Sequence, residues 1–189
     1  MSRFVILAAL SLAFAASPKP DRAALAVQRK IDAIESGKAQ AGSAITFSVA
    51  ELNAWGRYKA AMIVPDGLRQ PKLELGHGTA TAYALVDFVK VRQGQGQNTN
   101  WLIAKLIEGE KPVKAIARIE SAGGRATVHL ERVEIGGLAV SGSTLDIMIR
   151  TFFLPFYPNA KIDEPFDLAD GLERIEVSAA QARAIMKKK

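Results

Sequence analysis

The sequence predicts an α+β protein: a long, curved, bulged antiparallel sheet wrapped around one or two apolar helices. Three observations predict it. From Leu73 to Val140 the apolar residues mostly recur at period two, interrupted by glycines. Val128 and Leu130 share one face, while Val133 and Ile135 fall out of step by one, which marks a bulge that bends a strand. Between 143 and 156 lies a helical stretch that is apolar nearly all round and so needs cover on most sides.

In chain order, residues 1–16 have a signal-peptide layout. Met1-Ser2-Arg3 is basic, Phe4 to Phe14 is apolar but for Ser11, and Ala13-Phe14-Ala15 or Phe14-Ala15-Ala16 offers the cleavage site. Ser17-Pro18-Lys19-Pro20 then breaks any helix. The competing reading is an uncleaved anchor or a core helix. Residues 17–189 suit one domain, exported to the periplasm or cell envelope.

Ala24, Val27, Ile31 and Ile34 place a helix over 21–37, with Gly37 as its stop. The core module spans 45–177. Ile45-Thr46-Phe47 is a short strand, and Ser48-Val49-Ala50-Glu51 is a capping box. The helix that follows carries Leu52, Trp55 and the Lys59 stem on one side. Lys72 to Val91 reads as one long strand, with Gly76-His77-Gly78 as a bulge or bend within it. Gln93 to Asn100 is a polar loop, and Trp101 to Ile107 is a strand or a short helix. Val113–Glu120 and Arg125–Ile135 make a hairpin, and Leu138-Ala139-Val140 adds a strand. Ser143 to Asp146 opens the apolar helix, which Pro155 ends. Leu172 to Val177 is the last strand. Ser178-Ala179-Ala180-Gln181 reads as another capping box, so 178–189 is assigned to a terminal helix and basic tail.

Cysteine is absent, which excludes disulfides, thiol nucleophiles and cysteine-bound zinc. The formal charge is +6, but the charges are scattered and only Lys187-Lys188-Lys189 forms a run. Export argues against nucleic acid; peripheral contact with an anionic membrane fits the excess. No Gly-x-Ser-x-Gly, His-Glu-x-x-His or complete glycine-rich phosphate loop occurs. No metal, cofactor or catalytic residue is expected. An exported hydrolase would instead pair His77 with a carboxylate. His129 reads as an exposed strand residue, and Asp163-Glu164 and Asp167…Asp170 as solvated loops.

The apolar excess directs attention to a ligand pocket. Its candidate lining is Leu52 and Trp55 on the second helix, Tyr83, Leu85 and Phe88 on the long strand, and Trp101 beyond it. The apolar helix would add Leu145, Ile149, Phe152, Phe153 and Phe156.

Three stretches carry a family resemblance. Ile45-Thr46-Phe47-Ser48-Val49-Ala50-Glu51-Leu52-Asn53-Ala54-Trp55 looks like a strand, a capped turn and a Glu-Leu-Asn helix start. Leu73 to Val140 looks like a coiled sheet, and Phe166 to Val177 like a late loop and returning strand. In this order the chain, from about Ile45 to Val177, resembles small bacterial envelope proteins of the tubular lipid-binding superfamily, which includes bactericidal/permeability-increasing protein. It departs at Ser178, where that family often continues its last strand into a glycine turn. The resemblance implies one wrapped module that holds acyl chains between helix and sheet, without shared catalytic residues. The function expected is non-catalytic binding or transfer of lipid or another apolar molecule in the envelope. The alternative is a structural or interaction protein of the envelope, with a solid core and no ligand; its protein partner is unknown.

Overall fold

A computed structural model describes residues 19–63, 67–96 and 108–188. The signal-peptide segment, Trp101 and the rest of 97–107 lie outside the described residues, as do Pro65 and Asp66. The fold is α+β, and every strand pairing is antiparallel.

Helix α1 (Arg22–Glu35) starts where Asp21 accepts a hydrogen bond from the Ala24 amide at 2.7 Å. Gly37, at φ +66°, follows it. Strand β1 (Ala44–Ser48) runs into α2 (Val49–Ile63) through the expected capping box. Glu51 Oε2 accepts from the Ser48 amide at 2.9 Å, and Ser48 Oγ accepts from the Glu51 amide at 3.2 Å.

Strands β2 (Leu68–Leu75) and β3 (Thr79–Val86) form a hairpin. The single long strand expected over 72–91 is therefore corrected twice. Gly76-His77-Gly78 reverses the chain rather than bulging it: the Gly76 amide bonds the Thr79 carbonyl at 2.9 Å, and Gly78 takes φ +66°, which suits glycine alone. After Val86, Asp87 caps helix α3 (Phe88–Gly94), accepting from the Lys90 amide. The bulge of this hairpin lies instead at Gln70-Pro71 in β2, where proline has no ladder amide to forfeit.

Strands β4 (Lys111–Ala122), β5 (Arg125–Ile135) and β6 (Leu138–Val140) continue the meander. The expected parity slip is present: Ile116 pairs with Arg132 and Ala117 with Leu130, which leaves Glu131 as the bulged residue. Val128, Leu130, Val133 and Ile135 thus all line one cavity. Helix α4 (Gly142–Met148) starts one residue before the expected Ser143 and lacks a side-chain cap. It continues as a π-helical turn, Ile149–Phe153. Among the described residues, cover on most sides is not found: neither segment has a fully buried residue, and Ile147 is 62% exposed.

Strands β7 (Phe166–Asp167), β8 (Leu172–Ser178) and β9 (Gln181–Met186) complete the chain. The terminal helix assigned to 178–189 is corrected: β8 and β9 form a hairpin, and β9 lies between β8 and β1. The Ser178 hydroxyl donates to the Gln181 carbonyl across the turn instead of capping a helix. Ala184 and Met186, at period two, are buried.

Two sheets result. One has order β1-β9-β8; the other runs β2-β3-β4-β5-β6, with β7 also on β5. They meet where the hairpin tips of the larger sheet cover the free edge of β8. The Gly78 amide bonds Val177 O at 3.0 Å, the Gly124 amide bonds Glu173 O at 2.7 Å, and Ser121 Oγ accepts from the Ile175 amide at 2.9 Å. Under the smaller sheet the interior is solid. Val27 and Ile34 of α1 pack with Phe47, Leu172, Ala184 and Met186. Each large side chain buried there contributes about 1.5–3 kcal/mol.

Candidate functional site

Under the larger sheet the described residues leave an open hollow. A cavity of about 550 Å³ lies between the sheet and helices α2, α3 and α4 with its π-helical turn. Strand alternation places Val113 and Ala115 of β4 on its wall, and the Glu131 bulge keeps both halves of β5 facing it. Without that extra residue one half of the β5 side chains would face solvent.

Most of the helical lining predicted from sequence is present. Trp55, Phe88, Leu145, Ile149, Phe152, Phe153 and Phe156 all border the cavity. Phe88 and Phe152 make an edge-to-face pair with centroids 4.9 Å apart, which joins α3 to the π-helical turn. Phe153 stacks on Tyr157 at 5.0 Å, and both are partly exposed. Trp55 borders both interiors: it packs against the solid core and also lines the cavity. Its indole N–H donates to Gln28 of α1 at 3.3 Å, which fixes the ring on the partition.

Three predicted lining residues fall elsewhere. Leu52, one turn from Trp55, packs against the solid core. Tyr83 and Leu85 line a separate groove, because Val86 takes the cavity-facing parity on β3. There the Tyr83 hydroxyl donates to Glu74 at 3.1 Å, and that bond raises the phenol's pKa. Lys72, Tyr83, Lys114 and Glu134 form a cross-strand row in this groove. Trp101 lies outside the described residues.

The strand wall was missed as a lining. Its signal was legible, since Val128 and Leu130 against Val133 and Ile135 already gave the parity and its break. Lys59 was placed beside Trp55 but not among the lining residues; it borders the cavity with its Nζ 5.6 Å from the Trp55 ring centroid.

The histidines lie apart from the cavity lining. His77 is exposed in the β2–β3 turn. His129 lies between two carboxylates, 3.4 Å from Glu120 and 3.5 Å from Asp163. Asp163 also accepts from the Leu130 amide at 3.1 Å, so this loop residue is tied to β5 rather than merely solvated. Among the described residues no group of three or more His, Asp or Glu side chains is placed to hold a metal ion, and no helix is long and apolar enough to cross a membrane.

No family model, curated protein or solved structure matches the chain.

Proposed function

We propose that the protein binds or transfers lipid, or another apolar molecule, without catalysis, and that it does so in the cell envelope after export by its N-terminal segment. The observation that carries this reading is the apolar cavity between sheet and helices. Its volume of about 550 Å³ lies within the span of small-molecule sites, roughly 300–1,000 Å³. The lining is apolar and much of it is only half-buried, with Phe153 40% and Tyr157 45% exposed. An apolar chain that covers it gains about 0.8 kcal/mol for each methylene buried.

The last strand turns back as a hairpin rather than entering a helix, through Ala179-Ala180 and without a glycine. The structural-protein alternative predicts a filled interior; among the described residues the buried core cluster lies under the smaller sheet.

Native mass spectrometry of the protein purified from its own host without detergent tests the reading. A stoichiometric added mass that extracts into organic solvent is the expected result. A clean apo mass, with no uptake from lipid vesicles, would replace the carrier reading with the structural one.

A further inference from the structure

Lys59 is the only charged side chain among the described residues that line the cavity. It projects from α2 one turn after Trp55, is half-buried, and holds its Nζ 5.6 Å from the indole centroid. That cation–π contact is its one interaction among the described residues, none of whose carboxylates pairs with it. The contrast with Lys30 on α1 is informative, since Lys30 is bonded to Glu51 at 2.6 Å and to the Thr46 carbonyl at 2.7 Å. An ammonium beside an apolar wall loses part of its hydration, and a ring face compensates for it only in part. Ligand sites of this kind are apolar with one or a few polar groups that fix orientation.

We propose that Lys59 anchors the anionic headgroup of a single-chain amphiphile whose hydrocarbon chain fills the cavity. The inference rests on the carrier reading above and specifies its ligand. The headgroup is a carboxylate or a phosphate monoester, either of which gives the ammonium a charge-assisted hydrogen bond. The cavity, about 550 Å³, has room for one hydrocarbon chain. Trp55 positions the cation: its ring, fixed by Gln28, keeps Nζ at the cavity wall.

The test uses the delipidated full chain, titrated by calorimetry with hexadecanoate, hexadecyl phosphate and hexadecan-1-ol. At least one anion should bind about tenfold or more tightly than the alcohol, as expected for a hydrogen bond to a charged group. Whichever anion is preferred distinguishes a free fatty acid from a phosphate-bearing lipid. Lys59→Met keeps an unbranched, helix-favouring side chain and should abolish the preference while leaving alcohol affinity unchanged. Lys59→Arg should retain the preference, and a melting curve for each variant confirms that it is folded. Equal binding of alcohol and anions by the unaltered protein, or an anion preference that survives in Lys59→Met, overturns the anchor but leaves the carrier reading standing. Failure of all three ligands to bind overturns both.

Discussion

Asn53 clamps the backbone of Leu73. Its side-chain Oδ1 accepts from the Leu73 amide at 2.7 Å, and its Nδ2 donates to the Leu73 carbonyl at 2.8 Å. Strand β2 is an edge strand of the larger sheet, so these two groups have no neighbouring strand to bond. The amide completes the edge and ties α2 to the sheet. Asn53→Ala leaves both backbone groups unpaired and should cost about 1–3 kcal/mol in urea unfolding. Asn53→Asp keeps the acceptor, loses the donor and should cost less. Equal stability of Asn53→Ala and the unaltered protein would show that the clamp contributes nothing.

Ala115 projects from β4 into the cavity. Ala115→Phe should fill part of the space a ligand needs. Co-purified or added apolar ligand should fall sharply in stoichiometry, while stability stays level or rises by about 0.5–2 kcal/mol, the usual range for cavity filling. Full ligand occupancy in a folded Ala115→Phe variant would place the ligand elsewhere.

Glu131 is the bulged residue of β5. Its deletion restores simple alternation and so turns either Val128 and Leu130 or Val133 and Ile135 toward solvent. The expected loss is about 3 kcal/mol or more, comparable with removing large buried side chains. Glu131→Ala keeps the extra residue and should change stability by less than about 1 kcal/mol, since the pair with Arg118 is exposed. Similar losses for the two variants would refute a register role.

Glu51 holds its carboxyl below the usual value of 4.5, first through its hydrogen bond to Lys30 and then through the Ser48 amide. The folded state therefore binds this proton less readily than the unfolded state. The resulting stabilisation is complete above the unfolded value near 4.5 and is lost as pH falls through the lower folded value. Glu51→Gln keeps an acceptor for the Ser48 amide but loses the charge opposite Lys30, and should be destabilised by up to about 1 kcal/mol at neutral pH. The gap between variant and unaltered protein should close in acid. A gap that stays constant from pH 7 to acid would exclude the linkage.

Much of the fold was legible in local chemistry. Asp21, Ser48 and Glu51 mark helix starts because capping needs only neighbours in sequence. The β5 bulge was legible because side-chain parity is itself a sequence property. The aromatic and aliphatic residues of the 145–156 stretch were identified as lining from the apolar excess, which composition alone shows.

Tertiary structure decided the rest. Gln181 to Met186 has the alanine content and the cap signature of a helix, yet it forms a strand because it completes a sheet between β1 and β8 and buries Ala184 and Met186. Leu52 and Trp55 share one helix, but Leu52 joins a solid core while Trp55 also lines the cavity. Tyr83 and Leu85 were assigned to the cavity on aromatic and aliphatic character, but strand parity gave that wall to Val86. The sequence by itself determined the helix caps, the strand parity and its break, and the apolar surplus, all set by residues within a few positions of one another. Which apolar faces meet and fill, and which face one another across a gap, depends on distances between elements far apart in the chain. Only the packing of the two sheets and the helices supplies those distances.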